Sequence, residues 1–192
     1  MMTDEGNSIM RLAVLSALLV TSVPAAAQTP AAPAPRDLVA QATAMSAVAF
    51  MKGRWLGRGY RIPPGGMRID YTQTMVVEAK GGGILLAIEG LSLRHGENAD
   101  KPGTGSFAVV SYDERAKAYA FRSFGFGEMI PATFEVVRPN VARWTTSGAM
   151  MFRFTIDGTA NGEWRETGER SVDGGKTWTA THALTAWRVD AR

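Results

Sequence analysis

The sequence predicts an all-β fold: an antiparallel, up-and-down, closed barrel of about ten strands, with one N-terminal helix capping an end. Three observations lead there. From Gly53 to Arg188 the chain runs as short strand-like stretches punctuated by Gly, Pro, Asp and Asn. Inside that region no segment has the length and period of a helix, so successive strands have no crossover and must follow one another as hairpins. Period-two alternation also sorts residues onto faces. Tyr71, Gln73, Met75 and Val77 share one face, with Asp70, Thr72 and Thr74 opposite; Met150, Phe152, Phe154 and Ile156 share another, with Arg153 and Thr155 opposite.

Ahead of the barrel, Arg11 precedes the apolar run Leu12 to Val20, then Val23-Pro24 and Ala25-Ala26-Ala27-Gln28. A basic start, a short apolar stretch and an Ala-x-Ala site make an export signal. The run is too short to span a hydrocarbon core of ~30 Å as a helix. Residues 1–27 are therefore expected to be removed, leaving a periplasmic or secreted protein. Asp4 and Glu5 suit such a signal poorly, and Met10-Arg11 makes an ordinary beginning, so Met10 is an alternative initiator to Met1. Residues 28–36 form a Pro/Ala-rich linker that buries too little surface to fold. Residues 37–192 are the barrel domain.

Within that domain Asp37 caps a helix over Asp37 to Met51, which Gly53 stops. Strands follow over 54–62, ended by Pro63-Pro64-Gly65-Gly66, and over 68–79, ended by Lys80 and three glycines. The third, 84–94, is apolar on both faces apart from Glu89, so its inward face is not readable; it runs into the long loop 95–105. Further strands occupy 106–112, 117–124, 132–137, 141–147, 150–156, 162–170 and 178–189. Each is bounded by Gly, Pro, Asn or Asp, residues that supply turn conformations.

Composition excludes several function classes. The chain has no Cys, which rules out lipid anchoring through Cys, a disulfide scaffold and thiolate metal sites. No stable membrane anchor is expected once the signal is gone. Stability must come from an ordinary core, and ~150 residues bury roughly 70% of their unfolded surface. The formal net charge is +3, with opposite signs interspersed as in Arg165-Glu166 and Glu169-Arg170. Such a surface does not suit nucleic acid. There is no Gly-x-Ser-x-Gly elbow or His-Glu-x-x-His helix, and only two His, so neither hydrolytic nor metal chemistry is expected.

Two phrases carry more information. In Gly53-x-Trp55-x-Gly57-x-Gly59 the glycines admit close backbone approach, and the Trp supplies a large plug. In Ser171-x-Asp173-x-Gly175-x-Thr177-Trp178 the Asp bonds its own turn and Gly permits positive φ; it resembles the Asp-box hairpin of sialidases as a single copy, a turn motif. The helix, the Gly-x-Trp-x-Gly strand and the hairpins together resemble the lipocalin-like (calycin) barrels over roughly Leu38 to Arg188. Within these the chain is similar to a family of exported bacterial proteins of unknown function and, more distantly, to nitrobindin-type barrels. Nitrobindin-like proteins hold haem through a His on a C-terminal strand, so the resemblance makes His182 a candidate axial ligand. His182 shares its expected face with Trp178, Ala180, Leu184 and Ala186. His95 is expected in solvent.

Polar pocket candidates are Tyr71, Gln73, Glu89, Arg122, Trp164 and His182, with Arg165 and Glu166 also in mid-strand. A buried Glu89 needs a cation, for which Arg122 or Arg165 would serve. Wall candidates are Trp55, Met75, Leu86, Phe107, Phe121, Phe124, Trp144, Met151, Phe152 and Trp164. The leading expectation is non-enzymatic binding of a small, largely apolar ligand, with no metal or cofactor. The alternative is a haem protein acting on reactive nitrogen or oxygen species through His182. Two further alternatives are an acid/base enzyme pairing Glu89 with Tyr71 or His182, and a partner-binding scaffold whose barrel is filled.

Overall fold

A computed structural model describes residues 35–96, 103–160 and 162–189. The expected signal at 1–27, the choice of initiator and most of the linker at 28–36 lie outside the described residues. Asp37 caps α1 (Leu38–Met45), its carboxylate accepting from the Ala40 amide at 2.9 Å. At Ser46 the winding tightens into a 3₁₀ helix, Ser46–Met51. The reason is geometric: three residues per turn brings i and i+3 into line, so Val48 and Met51, both 0% exposed, project together into the barrel end.

Ten strands follow among the described residues: β1 (Gly53–Arg61), β2 (Ile69–Lys80), β3 (Leu85–Arg94), β4 (Thr104–Asp113), β5 (Ala118–Gly125), β6 (Glu128–Arg138), β7 (Val141–Thr146), β8 (Met151–Asp157), β9 (Glu163–Ser171) and β10 (Thr179–Arg188). Each pairs antiparallel with its sequence neighbours, and β1 pairs with β10 to close the barrel. The expected strand positions agree closely except at β6, which starts four residues before Ala132 and includes Pro131. Pro131 pairs with Arg122 of β5 but lies beyond Thr146, the last β7 partner. That is an edge position, where a strand tolerates proline.

The Gly/Trp phrase builds the closed end. Trp55, 3% exposed, donates its indole N–H to the Met51 carbonyl at 2.9 Å. Its ring meets Trp164 edge-on at 5.6 Å, and the Arg188 guanidinium covers it at 4.5 Å. At Gly57 a Cβ would lie 2.5 Å from the Ala186 Cβ, so only glycine lets β1 and the inward methyl of β10 meet. The helix is tied down by Tyr119, whose hydroxyl donates to the Ala44 carbonyl at 2.8 Å, and by Gln41 donating to Glu114 at 2.6 Å.

Candidate ligand-binding cavity

Away from the helix the same inward positions do not fill the barrel. A cavity of 720 Å³ remains, reaching from the Trp164 level to the hairpins at 62–64 and 147–150. Its two walls differ chemically. Strands β5 to β8 supply aromatics: Phe121 and Phe134 at 5.5 Å, Phe121 and Trp144 at 5.5 Å, and Trp144 stacked on Phe154 at 4.1 Å. Strands β9, β10, β1 and β2 supply the polar groups Glu166, His182, Arg61 and Tyr71, with Gln73 deeper on β2.

The polar wall is a connected cluster. The Tyr71 hydroxyl lies 3.4 Å from each ring nitrogen of His182. His182 Nε2 is 3.4 Å from Glu166 Oε1, the two side chains being 15% and 14% exposed. Glu166 Oε2 accepts the Trp164 indole N–H at 3.1 Å. Burial first, and the Glu166 carboxylate second, push the Tyr71 phenol well above its ordinary value, against a weaker opposing pull from Arg61. The phenol therefore remains a hydrogen-bond donor at neutral pH. Lower down, the Ser92 hydroxyl donates to Gln73 Oε1, and Gln73 Nε2 donates to the Thr74 carbonyl at 3.3 Å.

Glycines make room for this cluster. A Cβ at Gly59 would lie 2.9 Å from the Tyr71 hydroxyl; at Gly168, 2.7 Å from His182 Cβ and from Phe154; at Gly90, 2.7 Å from Gln73 Nε2 and Ser106 Oγ. Gly59 and Gly168 face Tyr71 and His182 as ladder partners, and Gly90 pairs with Ser106 and lies diagonal to Gln73.

Of the six polar candidates, Tyr71, Gln73, Trp164 and His182 line the cavity. Glu89 and Arg122 do not: both lie exposed on the outer face. On β3 the inward set is Leu86, Ile88, Gly90 and Ser92, because these are the positions paired with inward residues of β2 and β4; Glu89 shares the outer face with Leu91 and Leu93. On β5 the inward residues are Phe121 and Ser123, so Arg122 points away. The imagined Glu89–Arg pair and any acid/base pairing of Glu89 with Tyr71 or His182 are thereby excluded. Arg165 is also outside, paired with Glu163 at 2.7 Å, and the interior carboxylate is its neighbour Glu166.

His182 faces inward with Leu184 and Ala186, as expected, but Ala180 and Trp178 do not share that face. A bulge between Ala180 and His182 turns the 5%-exposed Thr181 into the cavity alongside it. Ala180 is left exposed, and Trp178 packs outside under the Arg153 guanidinium at 4.2 Å. Among the wall candidates, Met75, Phe121, Trp144, Phe152 and Trp164 line the cavity. Phe107 and Phe124 also border it, half-exposed at its rim, whereas Trp55 and Leu86 belong to the packed end and Met151 turns outward to the 171–178 turn. His95 is exposed, with Nε2 3.1 Å from the Thr72 hydroxyl. Among the cavity residues that sequence reasoning missed are Arg61 and Thr181. Arg61 was readable, since it follows Trp55, Gly57 and Gly59 at period two; Thr181 was hidden by the bulge.

An axial haem ligand needs one imidazole nitrogen with its lone pair open to the cavity. Here the Tyr71 hydroxyl lies 3.4 Å from both nitrogens and Glu166 3.4 Å from Nε2, so His182 would have to exchange these contacts for a haem iron. The 171–178 phrase is a turn: Asp173 accepts from the Thr177 hydroxyl at 2.6 Å, the Thr177 amide at 2.9 Å and Ser171 at 2.7 Å. These bonds lower its carboxyl to about 2.

No family model and no curated protein matches the sequence. Among solved structures the chain is similar to the crystal structure of Rv2717c from M. tuberculosis, with a TM-score of 0.53 and 14% identity over 77% of this chain and 98% of that one. It is also similar to the S-type phycobiliprotein lyase CPES from Guillardia theta, with a TM-score of 0.49 and 8% identity over 74% of this chain and 90% of that one. The likeness to Rv2717c and the ten-stranded closure are consistent with a lipocalin-like barrel fold.

Proposed function

We propose that this protein binds a small, largely apolar molecule inside its barrel and performs no chemistry on it. The observation that carries this reading is the 720 Å³ cavity, within the range that holds one small ligand. A filled scaffold has no use for such a space. The aromatic wall offers apolar and stacking contact, and the cluster on the facing wall orients a polar group of the ligand. The signal-like sequence at 1–27 supports a periplasmic or secreted site of action. Two measurements test the reading: native mass spectrometry of freshly purified protein, and titration with an apolar fluorophore such as anilinonaphthalene sulfonate. A retained mass, or saturable enhancement that a Trp144→Ala exchange weakens, supports it. Protein with neither a retained ligand nor probe binding overturns it.

A further inference from the structure

The inference here rests on the binding reading and adds the chemical class of the ligand. The charged groups facing the cavity are Arg61 from β1 and Glu166 from β9, with the ionisable ring of His182 on β10 between them. Glu166 accepts the Trp164 indole N–H on Oε2 and has the His182 ring 3.4 Å from Oε1. Arg61 has no such neighbour: among the described residues it has no ion-pair partner, unlike Arg68, Arg138, Arg153 and Arg165. It faces inward, in step with Trp55 and directly opposite His182 in the β1–β10 ladder. The cavity charge without an ion-pair partner is thus the Arg61 guanidinium, and the same cavity offers two further donors, the Tyr71 hydroxyl and the buried Thr181 hydroxyl.

A guanidinium at the edge of an apolar space loses part of its hydration, and a carboxylate restores it through paired, charge-assisted hydrogen bonds. We propose that the ligand is an amphipathic carboxylate, its head held near the mouth by Arg61 with Tyr71 and Thr181, and its apolar tail lying along Trp144 and Phe121 toward Met75 and Leu184. An amine head is the poorer match, because Glu166 already accepts the Trp164 indole N–H and has His182 beside its other oxygen, while Arg61 repels a second cation.

The test compares three molecules with one tail: decanoic acid, decanol and decylamine. Each is titrated into the whole protein by calorimetry and by emission of the cavity-lining Trp144 and Trp164. The acid is expected to bind at least about tenfold tighter than the alcohol, the amine weakest. Arg61→Gln brings acid and alcohol affinities within about twofold of each other, Arg61→Lys keeps part of the preference, and Arg165→Gln on the outer face leaves acid binding as it was. Binding with no preference for the acid, or tightest binding of the amine, overturns the carboxylate inference and leaves the apolar-ligand reading standing. If none of the three binds and no apolar probe does either, the underlying reading falls first.

Discussion

The two ends of this barrel are made by the same ten strands and yet are different materials. At the closed end Val48 and Met51 enter from the 3₁₀ helix, Trp55 meets Trp164, and Arg188 lies over the outer edge, so every inward side chain has a neighbour. At the open end no helix enters among the described residues, and inward side chains on opposite walls face a 720 Å³ space. The contrast separates the roles of burial. Side chains at the closed end are buried by packing and hold the fold, while those at the open end are buried by enclosure and keep their contact capacity for a ligand.

The largest effect that would break this comparison is on stability. Trp55→Ala removes a fully packed ring and its hydrogen bond, and is expected to cost ~3–5 kcal/mol in denaturant unfolding. Phe121→Ala, whose ring has the cavity on one side, is expected to cost less than ~3 kcal/mol, because some of its surroundings are already empty. Equal losses would mean that the two ends are not packed differently. Next in size is Gly168→Ala. Its methyl would stand 2.7 Å from His182 Cβ and Phe154, which is expected to cost ~1–3 kcal/mol by overpacking and to weaken probe binding at the same time.

Titration sharpens the contrast further. The Tyr71 phenol is held above its ordinary 10.0 in the fold, so the folded chain keeps a proton that the unfolded chain releases. Stability therefore falls as pH rises through about 10, and Tyr71→Phe should remove part of that alkaline slope; Tyr119, also raised by burial, keeps the rest. A slope unchanged in the variant would show that Tyr71 is not buried as described. Asp173 has the opposite sign. Its carboxyl is lowered from 3.8 to about 2, so the stability of the 171–178 turn is complete above 3.8 and is lost as pH falls toward 2. Asp173→Ala is expected to lower Tm by only a few degrees and to leave ligand affinity unchanged. The smallest expected effect is none at all: haem added to the purified protein gives no Soret band, and a band that disappears in His182→Ala would reverse the reading of His182.

Much of the fold was legible because the signals are local. Pro63-Pro64-Gly65-Gly66 and Asp173-Gly174-Gly175 end strands wherever the rest of the chain lies. Period-two alternation marked Tyr71, Gln73 and Met75 as one face, and they all line the cavity. Legibility ended where a strand carries apolar residues on both faces. On β3, Leu91 and Leu93 are exposed at 43% and 45% while Gly90 and Ser92 point inward, so hydrophobicity does not mark the inward face and gives no sign that Glu89 lies outside. A bulge is equally silent in sequence, which is why Thr181 was passed over.

Turns, strand positions, the capping helix and the Gly/Trp plug follow from neighbours a few residues apart, and the amino-acid order alone carries them. The meeting of Tyr71 with His182, 111 residues apart, the isolation of Arg61 and the cavity itself do not. They depend on ring closure between β1 and β10 and on which inward side chains find a partner across the barrel. Alternation states that a residue points inward; only the closed wall decides whether it meets another side chain or an open space.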